Sequence, residues 1–302
     1  FGSMMRMSEE AVEELRRIGA EVLIFNPVHH YVNRLYFNYR DHRKIACIDG
    51  EVAYTGGANL ADEYANITER FGYWKDDGIR LEGQGAWTLT REFIYMWERM
   101  GGVMHQEHDY YRPHGDAPGQ GFVQPFVDGP KPIYDDYVAK NVYLNLFNSA
   151  KRYLYITTPY LIPDGEIVNA LQLAAARGVD VRIITPQIPD KKLVFNITRS
   201  NYKRLMNYGV KIYEFKGGFI HAKNVLCDDA VGIVGTINLD YRSLMHHYEC
   251  GVWMYRTAAL SAMKADFEAT FSQSVLQDEK SVKMGIVKRL FCGVCAIFAP
   301  LL

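Results

Sequence analysis

The sequence predicts an α/β fold built twice. Two repeated domains are expected, each a mixed, mostly parallel sheet with helices on both faces, related by a pseudo-two-fold axis. Three observations predict it. The pattern His-x-Lys-x-x-x-x-Asp stands at His42–Asp49 ("HRKIACID") and again at His221–Asp228 ("HAKNVLCD"). Each histidine is followed 17 residues later by an asparagine, Asn59 and Asn238. The flanks match too: "LRRIGAEVLIF" and "LMNYGVKIYEF" lead in, and a helical segment follows each copy. Chance recurrence does not reproduce matched flanks on both sides, so a whole unit is duplicated.

Each element has its own signal. Both motifs run into strand, tight turn, strand, with Asp49-Gly50 and Asp228-Asp229 at the turns; Asp-Gly is a strong two-residue hairpin signal. Ahead of each copy a helix stops at a glycine, Gly19 or Gly209, and an alternating strand follows. "GQGAWTLTREFIYMWERM" and "RTAALSAMKADFEATFSQS" carry helical periodicity. The second half adds helix 134–150, strand 152–158, helix 164–177, strand 179–185 and helix 191–208. Strands alternating with helices imply parallel pairing under helical layers. The first half lacks counterparts to most of these, and symmetry puts the shortfall at roughly 75 residues before position 1. The expected domains are 1–125, 126–284 and an apolar tail at 285–302, with a Gly/Pro-rich linker, "HGDAPGQGFVQPFVDGPKP", near the boundary.

Composition narrows the function. The chain has 302 residues, 48% hydrophobic and 23% charged, which is globular. Its 34 basic and 35 acidic residues give a formal charge of -1. That balance argues against nucleic acid as a partner. Five cysteines, an odd number, are expected to be reduced thiols; Cys292 and Cys295 form a C-x-x-C in apolar sequence without a second pair.

The repeated residues suit phosphoryl chemistry. Positions i and i+2 of an extended chain share a face, which puts His42 with Lys44 and His221 with Lys223. The asparagines return on the neighbouring strand. Packed about a two-fold axis, the halves would converge two imidazoles, two ammonium groups and two amides on one small anion. Lysines and amides stabilise the charge of a phosphoryl transition state. One histidine can attack phosphorus, while the other protonates the leaving alkoxide and deprotonates the incoming hydroxyl. The lysines supply the positive charge, so neither metal nor cofactor is required, and no aspartate cluster suited to magnesium or calcium is visible. A nucleophilic imidazole needs a carboxylate behind it. Glu249 is the candidate in the second half and Asp76 in the first, with Asp77 next. Asp49 and Asp228, at the turns, are expected to hold those turns.

The paired motifs, each followed by Gly-x-x-Asn, resemble those of the phospholipase D superfamily. Within it, "TPYLIPD", "AAARGVDVRIITP", "GGFIHAKNVLCDD", "VGTINLDYRS" and "NYRDHRKIACIDGEVAYTGGANLADEY" are similar to bacterial cardiolipin synthases. The resemblance covers nearly the whole chain and is densest over 154–253. It implies phosphatidyl transfer from one phosphatidylglycerol to a second through a phosphohistidine, releasing glycerol and giving cardiolipin. It implies a catalytic set of His42, Lys44, Asp49, His221, Lys223 and Asp228. In that set His42 is the nucleophile, His221 the general acid and base, Asn59 and Asn238 phosphate ligands, and Glu249 and Asp76 orienting groups. It also implies the cytoplasmic face of a bacterial membrane, although the two leading transmembrane helices of such proteins are absent here. Two positions depart from the usual pattern: Gly57 and Thr236 stand where serine is common. A phosphodiesterase, lipid hydrolase or nuclease, a phosphatidyltransferase with another alcohol acceptor, and a lipid-binding scaffold are the alternatives.

Other features have ordinary readings beside functional ones. His29, His30, His105, His108, His114, His246 and His247 lack metal-ligand spacing; His246 or His247 is expected nearest the site. Tyr31, Tyr36, Phe37 and Tyr39 suit either core packing or a wall for acyl chains. The tail after Arg289 has thirteen apolar residues. It falls short of a bilayer span of about 20 and suits an anchor lying in the membrane surface.

Overall fold

The computed structural model describes residues 7–26, 39–104, 111–113 and 119–297. The first half contains α1 (Glu9–Arg17), β1 (Ile45–Ile48), β2 (Val52–Gly56), β3 (Tyr73–Lys75), β4 (Gly78–Glu82) and α2 (Gln84–Arg99). The second begins with β5 (Phe122–Asp128), α3 (Val138–Ser149), β6 (Tyr153–Thr157), β7 (Leu161–Ile162), α4 (Gly165–Ala176), β8 (Asp180–Pro186) and α5 (Lys192–Met206). It continues with β9 (Lys211–Phe215), β10 (Gly218–Ile220), β11 (Asn224–Cys227), β12 (Val231–Gly235), β13 (Leu239–Asp240), α6 (Tyr241–Met245) and β14 (Glu249–Tyr255). Helix α7 (Ala259–Ser272), β15 (Ser274–Leu276) and α8 (Ile286–Ile297) close the described chain.

An eight-stranded mixed sheet runs β15-β9-β8-β6-β11-β12-β14-β5. Parallel pairing is confined to β6–β8–β9, where helices α4 and α5 make the crossovers. The remaining neighbours are antiparallel; of these, β11 and β12 are joined by a tight turn that leaves no room for a crossover. Alternation sorts the side chains. Leu154, Ile156, Val181, Ile183, Val225 and Ile233 enter one core with Phe147, Leu171 and Tyr202 from α3, α4 and α5. Tyr153, Ile184, Leu226 and Val234 enter the other with Phe267 of α7, Ala53 of β2, Leu81 of β4 and Leu89 of α2. The first half's three-stranded sheet, β1-β2-β4, therefore packs on the face opposite α3–α5. Each fully buried Leu, Ile or Phe contributes roughly 1.5–3 kcal/mol, so this shared core holds the halves together.

The duplicated features match closely. Gly19 and Gly209, at φ 95° and 94°, end α1 and α5, since only glycine enters this left-handed region freely. The paired hairpins turn through Asp49-Gly50 and Asp228-Asp229, all at positive φ, from 52° to 71°, as type I′ turns demand. One expected strand is missing: 20–24 are irregular. The second-half counterpart, β9, exists by pairing with β8 and β15, and 20–24 have no such neighbour among the described residues.

Asp228 sits at its hairpin turn and reaches to a neighbouring segment. Its carboxylate accepts hydrogen bonds from the backbone N–H of Lys151, Arg152 and Tyr153, each at 2.8 Å, tying the hairpin to the start of β6. Asp228→Ala should cost about 1–3 kcal/mol in urea unfolding, because these donors lose a charged acceptor. Activity below the new midpoint should survive. A loss of activity without a loss of stability would place Asp228 in the chemistry instead.

Candidate active site

Both motif histidines lie just ahead of their strands rather than within them: His42 precedes β1 and His221 lies between β10 and β11. What fixes each is a backbone contact with the opposite half. The N–H of His221 donates to the carbonyl of Lys75 at 2.7 Å, continuing the parallel pairing of β10 with β3. The N–H of His42 donates to the carbonyl of Tyr248 at 3.0 Å, beside the parallel bridge Asp41–Tyr248. Lys75 immediately precedes Asp76, and Tyr248 immediately precedes Glu249.

The carboxylates are consequently exchanged between halves. His221 Nδ1 lies 2.7 Å from Asp76 Oδ2. His42 Nδ1 lies 2.9 Å from both oxygens of Glu249. The sequence reading placed each carboxylate in the half of its own histidine, and the geometry corrects this. Glu249 opens β14, two strands from β11 in the order β11-β12-β14. Its carboxylate is engaged by His42, and His221 meets Asp76 in its place.

Lys44 Nζ donates to the carbonyl oxygen of His42 at 2.5 Å, and Lys223 Nζ to that of His221. Lys223 Nζ also stands 2.8 Å from His221 Nδ1. Asn238 is buried, with its Oδ1 unpaired among the described residues. Asn59 is exposed and donates to Tyr64 Oη at 2.6 Å. Asp77, the second choice beside Asp76, accepts instead from Asn224 Nδ2 and does not meet a motif histidine. Asp49 stays at its turn. His246 stacks on Tyr39, ring centroids 6.2 Å apart. His247 lies beside His42, centroids 5.4 Å apart. Around His221 stand Trp74, Tyr64 and Phe219, with centroids at 5.3, 5.4 and 6.0 Å. The other expected aromatics, Tyr31, Tyr36 and Phe37, lie outside the described residues, as do His29, His30, His105, His108 and His114.

Burial dominates the electrostatics. It pushes the imidazoles of His42 and His221 down, to about 4 and about 3; Lys44 and Lys223 add to this, while Glu249 and Asp76 oppose it. Burial likewise lowers Lys223 to about 7, against the pull of Asp76, and Lys44 adds to the lowering; Lys44 is itself lowered. Burial would raise the two carboxyls, but it is outweighed. His42 and His247 hold Glu249 well below the usual range, and Lys223 and His221 lower Asp76. The charge of Lys44 thus also lowers Lys223 and His221 of the other half. At neutral pH both imidazoles are uncharged; beside ionised Glu249, His42 donates through Nδ1 and keeps the lone pair on Nε2, whereas His221 Nδ1 meets both the Asp76 carboxylate and the Lys223 amine. An arriving anion would favour the protonated lysines and one imidazolium. That is the state proton donation to a leaving group requires.

Residues 143–271 match the family described as cardiolipin synthase, PLD-like domain. The chain is 45% identical over 98% of its length to an uncharacterised protein of Streptococcus mutans, and 37% identical over 87% to a cardiolipin synthase of Alkalihalophilus pseudofirmus. It spans 64% and 52%, respectively, of those proteins. A phosphatidylserine synthase from Haemophilus influenzae has the same fold, with TM-score 0.63 and 16% identity over 86% of this chain and 70% of that one. The chain is a member of the phospholipase D superfamily.

The two departures from the superfamily pattern gain a physical reason here. Thr236 Oγ1 donates to Glu249 Oε2. The matching position in the first half abuts the other carboxylate: a Cβ at Gly57 would lie 2.0 Å from Asp76 Oδ1. One half fills this space with a hydroxyl that supports its carboxylate, and the other leaves it open. The sequence reading noted both substitutions without this link. Strict spacing from the motif, 15 residues from His42 to Gly57 and from His221 to Thr236, was the available signal.

Proposed function

We propose that this phospholipase D superfamily member is a cardiolipin synthase. It transfers the phosphatidyl group of one phosphatidylglycerol to a hydroxyl of a second through a phosphohistidine and releases glycerol. The observation that supports the reading is the crossed pair of carboxylate–imidazole contacts, in which each half supplies the carboxylate that meets the other half's motif histidine. His42, held by Glu249, attacks phosphorus through Nε2. His221, held by Asp76, protonates the glycerol oxygen as it leaves and then takes the proton of the incoming hydroxyl. Lys44, Lys223, Asn59 and Asn238 hold the phosphate oxygens. The chain's similarity to cardiolipin synthases supports a phospholipid substrate.

The test uses phosphatidylglycerol vesicles without divalent metal and follows products by mass. The unaltered protein should form cardiolipin and glycerol, and neither His42→Ala nor His221→Ala should. Phosphatidic acid in place of cardiolipin would make water the acceptor and the protein a hydrolase.

The substrate implies a membrane surface, and α8 offers a face for one. Ile286, Val287, Leu290, Phe291 and Val294 are 57–83% exposed along one side of the helix. Cys292 is buried on the opposite side, and Cys295 packs with Ile197 of α5. Lys283 and Lys288 are exposed near its start. Among the described residues no helix is long and apolar enough to cross a membrane. We therefore place α8 in the plane of an anionic bilayer. Leu290→Glu with Phe291→Glu should cut flotation with phosphatidylglycerol vesicles about tenfold without shifting the melting temperature. Unchanged flotation would remove α8 from the membrane contact.

A further inference from the structure

His247 belongs to none of the roles above, yet it stands against the centre of the site. Its Nδ1 is buried and lacks a hydrogen-bond partner among the described residues. It lies 3.6 Å from Glu249 Oε1, outside hydrogen-bonding distance. Glu249 Oε1 is in turn 2.9 Å from His42 Nδ1. One ligand atom from each of His42, His247 and Glu249 falls within 4.8 Å of the others. An orphaned imidazole nitrogen in that company has a ready explanation. Ligands of tetrahedral zinc, at 2.0–2.1 Å from the metal, stand about 3.3 Å from one another, between the 2.9 Å and 3.6 Å found here. The donor set, two imidazoles and one carboxylate, is one that zinc accepts with water in the fourth position. The third pair, His42 with His247, lies within 4.8 Å, so closing the set takes side-chain movements of up to about 1.5 Å.

We infer that His42, His247 and Glu249 form an inhibitory zinc site that captures the nucleophile. The inference rests on the proposed role of His42 only for its inhibitory sense. A neutral imidazole carries one proton. In the metal-free site that proton is on Nδ1, donated to Glu249, and the lone pair on Nε2 faces the phosphate. Zinc on Nδ1 takes that nitrogen's lone pair, so the proton must sit on Nε2. No proton is gained or lost by the ring, but the attacking lone pair is gone, and Glu249 is drawn to the metal. Zinc would therefore compete with the chemistry rather than assist it. The transfer itself runs on the lysines.

Cobalt(II) gives a test independent of activity, because tetrahedral cobalt absorbs strongly in the visible. The whole protein, stripped with chelator and titrated with cobalt chloride, should show one such site, displaced by zinc. His247→Ala should weaken it about 100-fold or more, as loss of a ligand exceeds the 10–100-fold cost of losing a ligand's support. His247→Gln serves as a second variant should alanine destabilise the fold. Cys292→Ser with Cys295→Ser should leave the band unchanged. In the vesicle assay, zinc at saturation should suppress phosphatidyl transfer by the unaltered protein, and at the same concentration should leave the His247 variants at their own zinc-free rates. Absence of the band, its persistence in both His247 variants, or its loss with the cysteines would overturn the site. A zinc-binding protein whose transfer is not inhibited would overturn the inhibitory role. A protein that binds cobalt as described but makes no cardiolipin would leave the site standing and sink the proposed function instead.

Discussion

Glu249→Gln should lower kcat for phosphatidyl transfer about 10⁴-fold, the scale on which a triad loses activity when its carboxylate becomes an amide. KM should move less than about twofold, since no contact with substrate is removed. The direction follows from the hydrogen bonds around Glu249. Thr236 Oγ1 donates to one Glu249 oxygen and His42 Nδ1 faces both. A glutamine that still accepts from Thr236 must turn its NH₂ towards His42. Nδ1 then meets the NH₂ as well as the remaining oxygen; wherever it accepts from the NH₂ the imidazole proton moves to Nε2 and the nucleophile loses its lone pair, and in either tautomer the imidazolium loses its buried counter-charge. The amide is nearly the same size as the carboxylate, so the melting temperature should hold within a few degrees. A less than tenfold fall in kcat would mean that the carboxylate merely fills space.

Much of this arrangement was legible in the sequence, for a physical reason. Hairpins, glycine stops and helix periodicity are local, and the duplication printed each of them twice. The place of Asp49 and Asp228 at hairpin turns was legible in the same way. What could not be seen was the exchange of carboxylates. It depends on Lys75 and Tyr248 pairing with His221 and His42 across the interface, and no local pattern encodes which half a strand end will meet. His247 was expected near the site beside Glu249, but its contact with His42, 205 positions away, was hidden for the same reason. The expected strand at 20–24 failed because alternation names a face but supplies no partner to bond with. Gly57 and Thr236 were visible as departures, but their meaning required the carboxylates to be placed first.

The exchange itself can be tested by trapping the covalent intermediate. His221→Ala lacks the general acid, but a phosphatidyl ester of 4-nitrophenol has a leaving group that departs without a proton. His42 Nε2 should attack phosphorus, the bond from phosphorus to the nitrophenyl oxygen should break, and one nitrophenolate per chain should appear as a burst. The second step needs a base for the incoming hydroxyl. Without His221 it should slow about 10²–10⁴-fold, leaving a phosphatidyl adduct on His42 that is visible by mass. His42→Ala should show no burst. Adding Glu249→Gln to His221→Ala should abolish the adduct, because Glu249 sets the tautomer of His42. Adding Asp76→Asn should leave it, because Asp76 serves a histidine already removed. If each carboxylate instead served its own half, these last two results would be exchanged. A burst from His42→Ala and none from His221→Ala would reverse the roles of the histidines. The crossed geometry would then make Asp76, not Glu249, the carboxylate on which the first step depends.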